Sequence, residues 1–179
     1  MGKRTFQPYG PYKIDLPKGR RAIDDRDRNA FWQKVGGEVP GLPDAVGCYI
    51  FAIRAGKGVR PWYVGKAEKT PFKREVWNPR NLNIYNRVLW QVKKGTPLLY
   101  LLARETQGGK FRKKTTSKIS DLRFLEELLI GACLTRNKDL ENKLQTKFLR
   151  EVSVPGYMNS DTRGKPPKPV SALRRLLED

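Results

Sequence analysis

The sequence predicts an α+β fold in which a small three-stranded antiparallel sheet is flanked by helices. Two apolar segments, 46–53 and 62–65, stand on either side of the Gly-Lys-Gly turn at 56–58, which is typical of buried strands joined by a hairpin. A third apolar segment, 97–103, follows a segment with helical spacing. The clearest 3.6-residue pattern begins after that strand, at Ser120. The order strand, strand, helix, helix, strand, helix is typical of an α+β domain.

The N-terminal region is expected to lie outside this domain. Residues 1–22 are rich in Pro, Gly, Lys and Arg and show no apolar period, which predicts an extended basic arm. A short helix is predicted over 24–35, ending at the glycine pair that follows it. The predicted regions are an N-terminal arm with this helix (1–40), a globular domain (41–152) and a C-terminal extension (153–179).

The first half of the domain is expected to hold a hairpin and a short helix. The first strand is predicted within 45–55, and its partner over 62–65, where Pro61 weakens the start of the strand. Thr70 and Pro71 favour a helix start, with threonine as the N-cap and proline at the first helical position.

Longer helices are predicted in the second half. The first covers 82–94 and ends at Gly95, after two lysines that suit a helix C-terminus. The second begins at Ser120. Its apolar stripe is expected to consist of Leu125, Leu128, Leu129, Ala132 and Cys133. A further helix is predicted over 140–148, and a basic, Pro-rich linker at 164–169 leads to a small terminal helix.

Charge is the strongest signal in the composition. The chain has 37 Lys and Arg against 18 Asp and Glu, a formal net charge of +19. Such a charge attracts polyanions, and each neutralised phosphate releases counterions. We therefore expect a nucleic-acid partner, with DNA favoured over RNA. No stretch of 18 apolar residues is present, so we expect no membrane span and a cytoplasmic location.

The absence of histidine excludes several classes of site. The sequence contains no His, which removes Ser-His-Asp and Cys-His triads and His-based zinc sites. Cys48 and Cys133 stand in apolar segments and cannot form a four-ligand zinc site. Any chemistry must use Tyr, Lys, Arg and carboxylates.

Two tyrosines of the predicted hairpin are candidates for such chemistry. Tyr49 and Tyr63 lie opposite one another on one face if the loop has an odd number of residues, as 55–57 would. A loop with an even number of residues would place them on opposite faces.

The segments Gly-Cys-Tyr at 47–49 and Tyr-Val-Gly at 63–65 resemble the signature of the GIY-YIG endonuclease family. The chain has Cys48 and Val64 where the family usually has isoleucine. Arg74 follows Gly65 by nine residues, in the order that the family shows.

The resemblance continues beyond the hairpin, to about residue 145. Glu126 opens the family's pattern Glu-x-x-Leu-Ile, and either Asn137 or Asn142 matches its asparagine. The resemblance implies a metal-dependent endonuclease in which Glu126 binds Mg²⁺ (or Mn²⁺), with Glu127 as the ligand if the register is shifted. A single hard carboxylate suits Mg²⁺, which keeps several waters.

The resemblance also implies roles for the other groups. Arg74 would bind the cleaved phosphate through its planar fork. Tyr49 would activate water, and because a free phenol has a pKa near 10, it would need a metal, Arg74 or Lys66 nearby. Lys66 could itself act as the base, and Tyr63 would orient the phosphate or the water. The account requires Glu126 and Tyr49 on the same side of the sheet.

Further cations are predicted to grip the substrate backbone. Contacts of this kind position a duplex without reading its sequence. The candidates are Lys110, Arg112, Lys113 and Lys114 in one loop, and Lys3, Arg4, Lys18, Arg20 and Arg21 in the N-terminal arm.

Two other functions compete with this one. A PD-(D/E)xK-like nuclease would use Pro43 and Asp44 with the segment 141–143, but that chemistry needs a strand where the spacing is helical. A non-catalytic nucleic-acid-binding protein would explain the charge equally well. The sequence leaves the choice between DNA and RNA, the specificity of cutting and the oligomeric state open.

Overall fold

The computed structural model describes residues 4–113, 120–142, 151 and 167–178. The chain divides into two units, Met1–Glu141 and Asn142–Asp179. In the second unit the described residues are Asn142, Glu151 and 167–178, and they include the helix that we call α5, over Lys168–Glu178. The features below belong to the first unit.

The first unit contains a four-stranded antiparallel sheet rather than the predicted three-stranded one. The strands are β1 (Phe6–Lys13), β2 (Gly47–Ala55), β3 (Gly58–Ala67) and β4 (Thr96–Arg104). Their order in the sheet is β1-β4-β2-β3, so β1 and β3 are the edges. The α+β class is confirmed, and the additional strand comes from the region that was expected to be an arm.

Strand β1 corrects the prediction of an extended N-terminal arm. It pairs with β4, and its Tyr12 and the following Ile14 are buried in the core. Pro8 and Pro11 are tolerated because the strand is an edge. Gly10 has φ +97°, and a Cβ there would lie 2.8 Å from the Tyr12 backbone nitrogen. These prolines and this glycine erase the alternating pattern by which strands are recognised.

The β2–β3 hairpin has a different loop length from the predicted one, but Tyr49 and Tyr63 still lie on one face of the sheet, as predicted. Its turn is the two-residue segment 56–57, an even loop. A register shift follows, because Ala52 pairs with Pro61 while Phe51 pairs with Tyr63. The bulge at Trp62 inserts one residue and reverses the effect of the even loop. Tyr49 and Tyr63 therefore share one face, offset diagonally.

Four helices and a short 3-10 turn complete the first unit. They are α1 (Asp25–Glu38), the 3-10 turn (Leu42–Asp44), α2 (Phe72–Glu75), α3 (Pro79–Val92) and α4 (Ser120–Arg136). Helix α1 begins with a capping box in which Asp24 and Asp27 satisfy each other's backbone groups. It continues through Gly36 and Gly37, where it was predicted to end. It stops before Pro40, which disfavours a helical residue ahead of it.

The sheet has two faces, which we call the tyrosine face and the α4 face. The tyrosine face carries Tyr49, Phe51 and Tyr63 and packs against apolar residues of α1 and α3. The α4 face carries Cys48, which clusters with Leu122 of α4. The sheet is thus covered on both sides.

The buried stripe of α4 differs from the predicted one. Leu122, Ile130 and Cys133 are buried, and Leu125 and Leu129 pack partly buried against the α4 face. Leu128 is 58% exposed and Ala132 is exposed as well. The run of leucines in this helix hides which of them face the sheet.

A buried ion pair fixes the start of α4 to β4. Arg104 Nη2 lies 2.6 Å from Asp121 Oδ2, with the two side chains 10% and 11% exposed. Arg4 approaches the same oxygen at 3.7 Å. Removing one partner leaves a buried charge uncompensated.

We expect Arg104→Met to lower the free energy of unfolding by about 3–5 kcal/mol, the usual cost of breaking a buried pair from one side. The double variant Arg104→Met/Asp121→Leu should recover most of that loss, because neither charge remains. Urea unfolding followed by circular dichroism measures both. A loss below about 1 kcal/mol in the single variant, typical of surface pairs, would contradict the assignment.

Among the described residues, no helix combines the length and the apolar character that a membrane span requires.

Candidate active site

Packing requires both glycines of the two tyrosine-containing segments. A Cβ on Gly65 would lie 2.3 Å from the Tyr49 hydroxyl, and one on Gly47 would lie 2.0 Å from the Leu102 carbonyl oxygen. Contacts this short exclude a side chain at either position. Gly65 pairs with Tyr49 across the hairpin. The missing side chain therefore lets the Tyr49 ring lie over edge strand β3.

Tyr49 belongs to a buried hydrogen-bonded network. It is 1% exposed, and its hydroxyl accepts a hydrogen bond of 2.7 Å from Asn81 Nδ2, which also donates to the Glu75 carbonyl oxygen at 2.8 Å. Burial raises the pKa of Tyr49 well above its ordinary value, and the neighbouring Tyr85 and Tyr63 add to the rise. A phenol in this position is shielded from a substrate and stays protonated near neutral pH. Its environment does not fit the expected role in activating water.

Tyr63 is the more accessible phenol and lies where several charges act. It is 9% exposed, and its ring centroid lies 6.3 Å from that of Tyr49. Burial raises the pKa of Tyr63, Arg80 opposes the rise, and Glu126 and Glu75 add to it. The hydroxyl is therefore a proton donor near neutral pH, suited to orienting a phosphate or a water.

Glu126 occupies the buried stripe of α4 and is paired with Lys66. It stands four residues after Leu122 and four before Ile130, both buried, so all three share one side of the helix. Its Oε2 lies 2.8 Å from Lys66 Nζ, with the side chains 14% and 25% exposed. Glu127, the alternative ligand, pairs with Arg123 at 3.0 Å instead. The register therefore favours Glu126.

The pair of Lys66 and Glu126 does not lie on the same face as Tyr49. Lys66 pairs with Cys48 across the hairpin and so points to the α4 face, whereas Tyr49 points to the tyrosine face. The expectation that Tyr49 and Glu126 share a side of the sheet is wrong, so a geometric requirement of the enzyme predicted from the sequence is not met. Both residues instead stand near the same end of the edge strand, and the charge of Glu126 still acts on Tyr63.

The Glu126 carboxylate is the group that would hold a divalent metal. Lys66 bonds to Oε2, and a carboxylate offers further lone pairs on its other oxygen. The described residues contain no group of three or more His, Cys, Asp or Glu that could enclose a metal. Mg²⁺ does not need such a cage, because it is commonly held by one or two carboxylates together with water and substrate phosphate.

Two arginines are candidates for binding the phosphate. Arg74, the predicted phosphate ligand, is exposed on α2 and forms no side-chain hydrogen bond or ion pair within the part of the chain that the structure describes. Arg80 is exposed at the start of α3, and of the two it is the one whose charge affects the pKa of Tyr63. Arg80 is therefore a second candidate for binding the phosphate at Tyr63.

The two candidate asparagines have different surroundings. Asn137 is 1% exposed, donates through Nδ2 to the Pro61 carbonyl oxygen at 2.7 Å, and accepts through Oδ1 from the Asp139 backbone nitrogen at 3.0 Å. Its amide thus secures the edge of β3, and a substrate-binding role for it is not supported. Asn142 is buried and belongs to the second unit. Its match to the family stays a prediction.

The predicted basic loop is an ordered extension of β4. Glu105 and Phe111 form a β-bridge, and the Arg112 carbonyl oxygen accepts from the Val46 backbone nitrogen at 3.0 Å. This hairpin starts where β4 ends, at the end of the sheet to which Lys66 belongs. Its cations Lys110, Arg112 and Lys113 are exposed, and Lys114 lies outside the described residues.

The cations predicted in the N-terminal arm are less available. Arg20 pairs with Asp24 at 2.6 Å and also with Asp27, which ties it to the start of α1. Lys18 is exposed and Arg21 is half-buried. Arg4 approaches Asp121, as described above, and Lys3 lies outside the described residues.

The arrangement expected of a PD-(D/E)xK-like nuclease is not formed. Asp44 ends the 3-10 turn and pairs with Lys73 at 2.7 Å, while Glu141 pairs with Arg87 at 2.5 Å. Lys143 lies outside the described residues. Neither acid stands on a strand, so the sheet position that this chemistry needs is missing.

Two residues near the site escaped the sequence analysis. Asn81 follows the N-cap Asn78. The backbone nitrogen of Asn81 donates to the Asn78 side chain at 2.9 Å. The motif Asn-Pro-x-Asn marks this helix start, and it is the sequence signal from which Asn81 could have been recognised. Arg80 had no distinguishing signal among 37 basic residues.

Comparisons of the chain with protein-family models, with curated proteins and with solved structures found no match. The resemblance to the GIY-YIG family therefore depends on the motif residues and on their arrangement.

Buried phenols give the fold a predictable response to alkali. Burial raises the pKa of Tyr85 and of Tyr49 well above the ordinary value of 10.0. Folding thus keeps protons that the unfolded chain loses above pH 10. The stability that the two protonated phenols contribute is fully present below pH 10 and falls as the pH rises further. In Tyr85→Phe the total fall between pH 9 and pH 11 should be smaller by about 1.4 kcal/mol, the free energy of one pKa unit, as measured by urea unfolding at the two pH values. Equal falls in both chains would contradict the prediction.

Proposed function

We propose that this chain is a metal-dependent endonuclease of the GIY-YIG type, which hydrolyses phosphodiester bonds of nucleic acid, with DNA as the preferred substrate. The proposal rests on one observation above all. A carboxylate in the buried stripe of α4, Glu126, is paired with Lys66, the residue that directly follows the Tyr-Val-Gly segment. Residues 60 positions apart in sequence are thereby joined at the end of β3.

The residues at this end of β3 match the needs of phosphodiester hydrolysis. The reaction builds negative charge on phosphoryl oxygens, which pre-placed donors and cations stabilise. Tyr63 donates its hydroxyl proton to a phosphate oxygen or to the attacking water. Arg80 supplies positive charge on the tyrosine face and Lys66 on the α4 face, so one phosphate would have to reach both around the edge strand β3. Arg74 would bind the strand beside it.

Glu126 would hold the metal through the oxygen that Lys66 does not use. When bound, Mg²⁺ or Mn²⁺ polarises a phosphate oxygen and lowers the pKa of a coordinated water. Lys66 keeps the carboxylate in place through their ion pair of 2.8 Å.

The net charge of +19 supports a polyanionic substrate. The exposed cations of the hairpin at 104–112 extend from the sheet end that carries Lys66, where they would contact backbone phosphates on one side of the cut. Contacts of this kind confer affinity without sequence preference.

Cleavage of a substrate panel tests the proposal. The purified chain is incubated with supercoiled plasmid, linear duplex, branched duplex and single-stranded oligonucleotides, with Mg²⁺ or with EDTA. We expect internal cuts that require the metal. Binding of all substrates without any metal-dependent cut would overturn the nuclease assignment.

A non-catalytic nucleic-acid-binding protein is the second candidate. The separation of Tyr49 and Glu126 by the sheet favours it, because the complete four-group arrangement of the resemblance is not formed. This candidate predicts salt-dependent binding with no cleavage of any substrate in the panel.

A further inference from the structure

An open cleft lies between α1 and the segment that contains α2. Its volume is about 620 Å³, within the range of pockets that hold ligands the size of a nucleotide. One wall is a single side of α1, with Arg28, Asn29 and Trp32 at helical spacing. The other wall is formed by residues 70–79. We call this feature the α1–α2 cleft.

The cations of the α1–α2 cleft leave one charge available to a ligand. Arg28 pairs with Asp25 on its own helix, and Lys73 pairs with Asp44 outside the cleft at 2.7 Å. Arg74 is exposed and forms no side-chain hydrogen bond or ion pair with any described residue. Its planar guanidinium suits a phosphate oxygen pair.

The acidic residue of the second wall is already engaged. Glu75 accepts hydrogen bonds from the Thr70 hydroxyl at 2.5 Å and from Asn78 Nδ2 at 3.0 Å. These bonds hold its carboxylate against the wall. The neighbouring Arg74 therefore meets an anion without a competing partner on its own helix.

Aromatic rings complete the cleft. Trp32 is half-buried and Trp77 is 5% exposed, and their ring centroids lie 6.3 Å apart. Within the described part of the chain, the indole nitrogens of both and Arg28 Nε are buried without an acceptor. These nitrogens can only donate, and proteins seldom leave such groups unpaired. These buried nitrogens do not reach the cleft surface, and what the walls present to a ligand is the Trp32 ring and the Arg74 guanidinium.

The cleft adjoins the proposed catalytic centre. Glu75, which lines it, is joined to the tyrosine face by Asn81 Nδ2, which donates to the Glu75 carbonyl oxygen at 2.8 Å and to the Tyr49 hydroxyl at 2.7 Å. We propose that the α1–α2 cleft binds one unpaired nucleotide next to the cleaved phosphate, with its base against Trp32 and its phosphate on Arg74. This inference rests on the proposed nuclease function and names a substrate subsite for it.

Tryptophan fluorescence tests the subsite without cleavage. The full chain carrying Glu126→Gln is titrated with single-stranded hexathymidylate in the absence of metal. Trp32→Phe should remove most of the quenching and weaken binding by about two- to fivefold, since the smaller ring keeps part of the roughly 1–3 kcal/mol that base–aromatic stacking contributes. The matched control is Trp90→Phe, because Trp90 is 67% exposed on α3 and does not line the cleft.

A second pair of variants is needed because Trp32→Phe could weaken binding by disturbing the packing around Trp32. Arg74→Gln alters an exposed side chain and should weaken hexathymidylate binding more than Lys57→Gln, which removes a charge from the hairpin turn. Two results together would overturn the subsite. Trp32→Phe and Trp90→Phe would show the same quenching and affinity, and Arg74→Gln and Lys57→Gln would weaken binding equally.

Cleavage by the parent chain distinguishes a failure of the subsite from a failure of the proposed nuclease function. If the chain cuts the substrate panel but hexathymidylate binding does not depend on Trp32 or Arg74, the nuclease assignment stands and the subsite is wrong. A chain that cuts nothing, while binding depends on both residues, retains the nucleotide-binding cleft and loses the nuclease assignment.

Discussion

Glu126→Gln is expected to abolish metal-dependent cleavage while nucleic-acid binding persists. The substitution keeps the size of the side chain and removes the charge that would hold the metal. Because a catalytic metal contributes several kcal/mol to the barrier, we expect a loss of about 10³-fold or more in rate. Plasmid nicking measures the rate, and fluorescence anisotropy with a labelled duplex measures binding.

Glu127→Gln is the matched control for this variant. The two residues are neighbours on α4, yet Glu127 is paired with Arg123 on a more exposed side of the helix, with 42% of its side chain accessible. Its variant should cleave at the parental rate. Full cleavage by Glu126→Gln would remove this carboxylate from the centre, and loss of cleavage in Glu127→Gln alone would shift the metal to the adjacent residue.

The two tyrosines should differ in their importance for cleavage. Tyr63→Phe is expected to lower the rate by about 10²-fold, the lower end of what a positioned proton donor contributes. Tyr49→Phe should cost less in rate, and about 1 kcal/mol in stability through the lost hydrogen bond from Asn81. Single-turnover rates and urea unfolding of both variants measure these effects.

The effect of Tyr63→Phe should not depend on pH between 7 and 9. Burial raises the pKa of Tyr63 above its ordinary value of 10.0, so its hydroxyl keeps the proton throughout this range. The ratio of parental to variant rate is then constant. A well-folded Tyr49→Phe variant that loses all cleavage would instead restore the water-activating role that the resemblance gives to Tyr49.

Much of the fold could be predicted from the sequence. The hairpin, the helices after it and the third apolar strand carry strong periodic patterns, and they appear in the predicted order. Strand β1 could not be recognised, because prolines and glycine interrupt its alternation and its pairing with β4 is a tertiary contact. The bulge at Trp62 is equally invisible, yet it decides which face Tyr63 occupies.

The candidate site could be predicted only in part. The resemblance selected Glu126, and Lys66 was a candidate because it follows the Tyr-Val-Gly segment; the structure pairs the two. Sequence patterns do not show burial, so they could not reveal that Tyr49 is enclosed or that Asn137 is engaged with Pro61. The assignment of a group to one face of the sheet depends on register, which a one-residue bulge reverses.

The central claim is that a metal held by Glu126 acts at the end of β3. Replacing Mg²⁺ with Fe²⁺ in the presence of ascorbate tests it most directly, because radicals released at the metal cut the nearest polypeptide. Mass spectrometry should locate the cuts within 63–67 and 122–130, and Glu126→Gln should lose them. Cuts confined to other segments, or unchanged in Glu126→Gln, would contradict the account.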